Sequence, residues 1–431
     1  MQNFFSFQLS VSEFLKRIEP YGKVLAFSIF YIFYFNDAGA IQNKKKAKST
    51  HSRKQRTKPL NTIPLRFTDS PEFIRFCEKA QQLKAGRTGN LNLFILGDSH
   101  MQCEDFGQGL CQYLGDSLLI PNAGRGFAFP YPLANTSHRS ENKFWPNNQW
   151  KGCRFTKESN SCDWGLAGWT AHCGKDSVAF FWSQGERSFS AGDEIGLFSP
   201  ERCANSHRVF LDDSTRGEIP MVYDSANGGF WSRLNFSTPK VKFRIQRVTN
   251  DSADFVVQGI LARPVSSGFV CGISGTNGAR LDHYLLNPDF PRHLRIMNPD
   301  LLIIALGTNE AFSPNFSPEN VRKSLYSVLI RIKSALPEAA IILIGPPDHK
   351  HGRKSNPRIA AVNQVFAETA EELDFTFWNL QKAMGGNGAI FSWRKKGLAT
   401  KDMVHFTPAG YRLQAKLFGS SLKPFFNLDQ Q

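Results

Sequence analysis

Two short segments of this 431-residue chain hold side chains suited to nucleophilic hydrolysis. The apolar run Leu93 to Leu96 stops at Gly97-Asp98-Ser99-His100, and near the C-terminus stands Asp402-Met403-Val404-His405. A serine hydroxyl attacks a carbonyl carbon only when a neighbouring base takes its proton, and the base works best when a carboxylate fixes its tautomer. Ser99 is the candidate nucleophile, His405 the base and Asp402 its orienting partner. The three-residue offset lets the carboxylate of a loop turn back toward the imidazole. The negative oxygen that forms during such a reaction needs donors aimed at it. Asn309, in Leu306-Gly307-Thr308-Asn309-Glu310, offers an uncharged N–H, and the Ser99 N–H with a glycine N–H would complete the set. Asp98 is expected to bond the loop rather than react.

These residues need a scaffold, and the hydrophobic pattern supplies one. Leu93–Leu96, Leu118–Ile120, Leu301–Leu306 and Ile341–Ile344 read as buried parallel strands. Helical spacing follows Ser317 as N-cap and Pro318 as first residue, with Val321, Leu325, Val328, Leu329, Ile332 and Leu336 on one face until Pro337. Further helices are expected over His100–Leu114, Pro357–Leu373 and Pro408–Leu422, the last capped by Thr407. Strands alternating with helices predict a parallel sheet covered on both faces, with chemistry at the carboxyl ends of its strands. Ser99 and Asn309 each follow a strand directly, so they share that edge.

Residues 142–265 read differently. Val178–Trp182, Val241–Val248 and Asp254–Val257 are short β-like runs between Gly, Ser, Asn and Asp turns, and predict an inserted all-β module, a small sandwich. Trp150, Trp164, Trp169, Trp182 and Trp231 lie within it, either as core or as a stacking platform for sugar rings. Of the eight cysteines, Cys153, Cys162, Cys173 and Cys203 fall in this region, where pairing among them leaves three connectivities open, whereas Cys103 and Cys111 stand too far apart along one helix to bridge each other.

The net charge is +15, and Lys44, Lys45, Lys46, Lys48, Arg53, Lys54, Arg56 and Lys58 supply more than half of it within a stretch free of acids. With no interleaved aromatics, that stretch reads as a solvated linker, residues 41–65, and not as a nucleic-acid site. Before it, Lys16, Arg17 and Lys23 precede the apolar segment Val24–Phe35 and Ala38-Gly39-Ala40. Those are the parts of a secretory signal peptide over residues 1–40, with a retained signal anchor as the alternative. The segment is short for a bilayer span, so no stable membrane insertion is expected after cleavage. The resulting expectation is an exported enzyme of the periplasm or cell envelope.

Gly-Asp-Ser, Gly-Thr-Asn and Asp-x-x-His in this order resemble the GDSL/SGNH hydrolases. The resemblance implies a flavodoxin-like three-layer α/β/α fold, with Ser99 as nucleophile, Asn309 as oxyanion donor, and Asp402 and His405 completing the triad. Gly307 to Phe312 and Asp402 to Tyr411 are similar to blocks of the two-domain bacterial peptidoglycan O-acetylesterases, which carry a β-sandwich resembling a carbohydrate-binding module between the first and third blocks. On that resemblance residues 66–141 and 266–431 form the hydrolase and the substrate is an acetylated glycan, with peptidoglycan first. The oxyanion glycine is either Gly278, in Gly275-Thr276-Asn277-Gly278-Ala279, or Gly124, in Asn122-Ala123-Gly124-Arg125-Gly126. Gly278 is preferred because the chain returns to the sheet there.

Esterase action on another acetylated polysaccharide, or O-acetyl transfer to one, uses the same residues. A glycan-binding envelope protein with the hydrolase body as scaffold is the reading of another class. His349 and His351 read as loop histidines and not as metal ligands, and no cofactor is expected.

Overall fold

The computed structural model describes residues 62–426, apart from 137–138, 148–149, 158–161, 214–216 and 251. The leader and most of the basic linker lie outside the described residues. Six strands pair in parallel: β1 (Asn90–Gly97), β2 (Asn122–Gly124), β3 (Gly268–Gly275), β4 (Leu301–Ala305), β5 (Ala340–Gly345) and β6 (Thr376–Asn379), in the order β2-β3-β1-β4-β5-β6. Alternate residues of each strand feed different cores. Leu93 and Ile95 join Ile303 and Ile342 in a core with Phe73, Phe106, Leu110 and Phe418, whereas Phe94 and Leu96 join Ile304 and Leu343 in a core with Leu325, Leu329, Val362 and Phe366. A sheet apolar on both faces must be covered on both, which gives the three-layer α/β/α arrangement.

The first core is closed by helices α1 (Pro71–Lys84), α3 (Asp105–Leu118) and α8 (Pro408–Leu422), and the second by α6 (Pro318–Ala335) and α7 (Arg358–Glu372). Ser317 Oγ accepts the Asn320 N–H at 3.1 Å and Thr407 Oγ1 the Gly410 N–H at 3.2 Å. Caps of this kind contribute about 1 kcal/mol each.

Several expectations need correction. Leu118–Ile120 is not a strand: Phe106, Leu110, Leu114 and Leu118 keep one buried face, so α3 runs on to Leu118, and Leu119 leaves it at φ 58°. The helix expected from His100 begins instead as a short α2 (Ser99–Gln102) and breaks at Glu104, at φ 57°. That break is fixed by burial of the Glu104 carboxylate, which accepts from Ser140 and Gln108. Residues 62–65, assigned to the linker, pack on the hydrolase: Leu65 is buried, and the Ile63 carbonyl accepts from Trp378 Nε1 at 3.1 Å and Ser421 Oγ at 2.7 Å.

The strand β3 was not anticipated, and it separates β2 from β1. A disulfide from Cys111 on α3 to Cys271 on β3 crosses 160 residues and joins the two parts of the split hydrolase. Cys153 pairs with Cys162, one of the pairings that the region left open, and Cys203 keeps a buried thiol.

The inserted region holds an antiparallel sheet of nine strands, from Phe127–Ala128 at one edge to Asn142–Pro146 at the other, and a three-stranded sheet of Lys151–Arg154, Trp169–Cys173 and Phe255–Val257. It differs from a simple sandwich of two separate sheets. The strand Gly217–Asp224 pairs with Val209–Asp213 through its first residues and with Gly229–Trp231 through its last, so both halves share one hydrogen-bonded surface. Because Phe127–Ala128 pairs with Ile260 and Leu261, the β region draws in residues N-terminal to 142. Trp150, Trp164, Trp169, Trp182 and Trp231 are 3, 5, 5, 0 and 9% exposed, so they fill its core and form no platform.

Candidate active site

Parallel register brings three strand ends level. Gly97 of β1 stands opposite Gly275 of β3 and Ala305 of β4, and the residues that follow each strand meet at one edge. The fit is tight: a Cβ at Gly275 would overlap Gln102 N and Asp98 O, so only glycine lets β3 end beside the turn that carries Ser99. Asp98 caps α2, its Oδ1 accepting the His100 N–H at 2.9 Å. Ser99 is thereby the first residue of a short helical turn, with its side chain toward the C-terminal loop.

That loop delivers the remaining two residues. Ser99 Oγ lies 2.9 Å from His405 Nε2, and His405 Nδ1 lies 2.8 Å from Asp402 Oδ2. Asp402 Oδ1 accepts the Val404 N–H at 2.9 Å and the His405 N–H at 3.0 Å, and Thr400 Oγ1 lies 2.6 Å from it. Partial burial pushes the Asp402 carboxyl up, but these bonds and the one from the His405 ring outweigh it and hold the group well below the usual carboxylate range. The loop is also anchored from outside, since the Lys350 N–H donates to Met403 O at 2.9 Å.

Asn309 lies on α5 (Thr308–Phe312), where its Nδ2 donates to Ala279 O at 2.8 Å and lies 3.4 Å from Asp98 Oδ2. The contact with Asp98 is the longer of the two, so the hydrogen aimed there is the one that a developing oxyanion beside Ser99 would draw away. Gly278 adopts φ +78°, and its N–H has no protein acceptor among the described residues. The other candidate is remote. Gly124 stands level with Val270, which pairs with Asn92, five residues before Gly97. At roughly 3.3 Å per residue that is about 16 Å from the strand ends, and the Gly124 N–H is spent on Asn122 Oδ1.

The structure therefore brings Ser99, Gly278, Asn309, Asp402 and His405 to one edge and leaves Gly124 away from it. His349 stacks on Phe312 with ring centroids 4.5 Å apart, its Nε2 lies 3.0 Å from Asn356 Nδ2, and burial pushes its pKa down to about 4. Among the described residues no group of three or more His, Cys, Asp or Glu side chains could hold a metal ion.

Sequence reasoning passed over two neighbours of this site, His100 and Glu310, and gave Asp98 a role in bonding the loop, where its Oδ1 accepts the His100 N–H. His100 is buried beneath the His405 ring at a centroid distance of 5.3 Å, with Nδ1 2.9 Å from Tyr411 Oη. Its burial, with the nearby His405 and His349, keeps it neutral by lowering its pKa well below the ordinary value. Burial raises the Asp98 carboxyl to about 6, against bonds from His100 and Thr308 and the nearby His405. Burial likewise raises Glu310 to about 7 despite the Leu281 N–H it accepts, with Asp98 and Asp282 adding to the rise. Their position immediately after or before a singled-out residue was the available signal.

Glu310 carries a stability consequence. Its folded pKa of about 7 exceeds its ordinary 4.5, so the native state holds the proton more tightly than the unfolded chain. The Glu310 contribution to stability is full below pH 4.5 and is lost as pH rises through about 7. Glu310→Gln cannot ionise, so its unfolding free energy relative to wild type should grow by up to roughly 3 kcal/mol between about pH 4.5 and pH 8.5. Denaturant midpoints at the two pH values measure this, and an equal difference at both would refute it.

Residues 245–413 match the model of the GDSL-like lipase/acylhydrolase family, a span that holds Gly278, Asn309, Asp402 and His405. The chain carries a domain of the GDSL-like lipase/acylhydrolase family. It is a carboxylic ester hydrolase, and Ser99 lies upstream of the β insertion that interrupts this GDSL-type body. A solved structure described as a peptidoglycan O-acetylesterase in action aligns with TM-score 0.68 and 24% identity, over 81% of this chain and 95% of its own, a likeness of fold. A lipase/acylhydrolase from Enterococcus faecalis aligns over 38% of this chain and 81% of its own at 24% identity and TM-score 0.31. A catalytic mutant of an acetylxylan esterase from Geobacillus stearothermophilus aligns over 36% and 73% at 19% identity and TM-score 0.30. No curated protein matches the GDSL-type sequence.

Proposed function

We propose that this hydrolase is a serine esterase that removes O-acetyl groups from a glycan, with peptidoglycan as the substrate. The observation that carries the reading is the continuous relay from Ser99 Oγ to His405 Nε2 and from His405 Nδ1 to Asp402. His405 takes the Ser99 proton as Oγ attacks the acetyl carbon. The carbonyl oxygen becomes negative beside Asn309 Nδ2 and the Ser99 and Gly278 N–H groups. His405 then returns the proton to the departing sugar oxygen, leaving acetyl-Ser99. Water, deprotonated by His405, attacks the acetyl-enzyme and releases acetate. Since His405 is partly exposed, water has access to the second step.

Choice of the glycan rests on the ordered blocks around Ser99, Asn309 and His405 and on the description of the fold neighbour at TM-score 0.68. The leader sequence and the two disulfides fit action outside the cytoplasm, in the cell envelope. Acetate release from O-acetylated peptidoglycan, measured beside acetylated xylan, tests the substrate. Faster release from peptidoglycan is expected. Faster release from xylan would move the substrate, and acetate appearing on an added sugar acceptor instead of in solution would make the enzyme a transferase.

A further inference from the structure

Asn309 and Glu310, neighbours on α5, hold two points of one loop. Asn309 Nδ2 donates to Ala279 O at 2.8 Å, and the Leu281 N–H donates to Glu310 Oε1 at 2.6 Å. Between β3 and helix α4 (Leu281–Leu286), this loop carries Gly278 next to Ala279. A Cβ at Gly278 would meet nothing, so no side chain packs on that face of the loop, and the Ala279 N–H closes a turn around it on Thr276 O at 2.9 Å. The loop is held by partners instead: the Asn277 N–H donates to Gln102 Oε1 at 2.9 Å on one side, and Asn309 and Glu310 act on the other.

Glu310 is a costly choice for a mere helix residue. It is 6% exposed, and its Oε2 is buried with no partner among the described residues. A buried carboxyl with an unsatisfied oxygen costs folding free energy, and an apolar residue of similar volume would avoid that cost. Costs of this kind persist where position matters to function. Asp98 and Asp282 face the carboxyl as acids, and Arg280 and, from α6, Lys323 line the 550 Å³ cleft that it borders.

Resting on the esterase reading, we infer that Glu310 is a positioning residue of the oxyanion loop: with Asn309 it pins the segment from Ala279 to Leu281 and so aims the Gly278 N–H at the developing negative charge. Glu310 itself touches no reacting atom. Removing its acceptor loosens a donor that works only in the transition state, which lowers kcat and leaves substrate affinity alone.

The test compares Glu310→Met, which fills similar volume without an acceptor, with Glu310→Gln, whose amide oxygen still accepts from Leu281. Kinetics on a chromogenic acetyl ester are measured with thermal midpoints and with inhibition by methylboronic acid, which adds to a serine hydroxyl as a tetrahedral anion. Glu310→Met should lose about 10- to 100-fold in kcat with KM nearly unchanged, and its boronate affinity should fall by a similar factor. Glu310→Gln should recover kcat to within about fivefold of wild type. Equal losses in both variants, no loss in either, or a kcat loss without weaker boronate binding would overturn the assignment. Ser99→Ala, run alongside, separates the two levels: if it remains active the esterase reading fails, whatever Glu310 does.

Discussion

Ser99→Ala should lose on the order of 10⁴- to 10⁶-fold in kcat on an acetyl ester while unfolding at the same temperature as wild type. Without Oγ no acetyl-enzyme forms, and water must attack directly, helped only by the oxyanion donors and by substrate binding. The fold should not respond, because the hydroxyl's one described side-chain partner is His405 Nε2, at 2.9 Å, on a partly exposed ring. The loss therefore separates chemistry from stability, which a core substitution would not do. Single-turnover measurement strengthens the test: wild type should release a burst of alcohol before acetate, and the variant none. Near-wild-type turnover in Ser99→Ala would rule out Ser99 as nucleophile.

Much of this arrangement was legible because it is local or tied to strand ends. Ser317 and Thr407 cap the helices that their sequences announce, and Asp402 reaches His405 across three residues. Ser99 and Asn309 could be placed on one edge because each follows a run apolar enough to be a buried parallel strand. What stayed hidden depends on distant partners. The segment Gly268–Gly275 has too many glycines to announce a central strand, yet Gly272 must be small because a Cβ there would press on Phe94 and Phe127. That strand then separates the two candidate glycines, since its register sends Gly124 away and carries Gly278 to the edge. The Cys111–Cys271 disulfide spans the whole β insertion, so no local spacing marks it. Glu104 and Glu310 look like ordinary helix-surface acids in sequence, and only the packed structure buries them.

Asp402→Asn should fall by on the order of 10⁴-fold in kcat with little change in KM or in unfolding temperature, and the reason lies in which oxygen the loop occupies. Asp402 Oδ1 accepts two backbone N–H groups, from Val404 and His405, with Thr400 Oγ1 close by, while Oδ2 faces His405 Nδ1. An asparagine must place its carbonyl oxygen at the Oδ1 position to satisfy those donors. Its NH₂ group then faces the imidazole and donates to Nδ1, which forces the ring proton onto Nε2. In that tautomer Nε2 cannot take the Ser99 proton, so the geometry survives and the base is lost. The ionised Asp402 of the wild type has the opposite effect, keeping the proton on Nδ1 and stabilising the imidazolium once Ser99 is deprotonated. Because its carboxyl is held well below the usual range, this orientation persists at any pH above about 4. Asp402 should thus contribute no limb to the kcat profile near neutrality. A variant with an intact loop and nearly normal turnover would show that His405 does not depend on Asp402 for its tautomer.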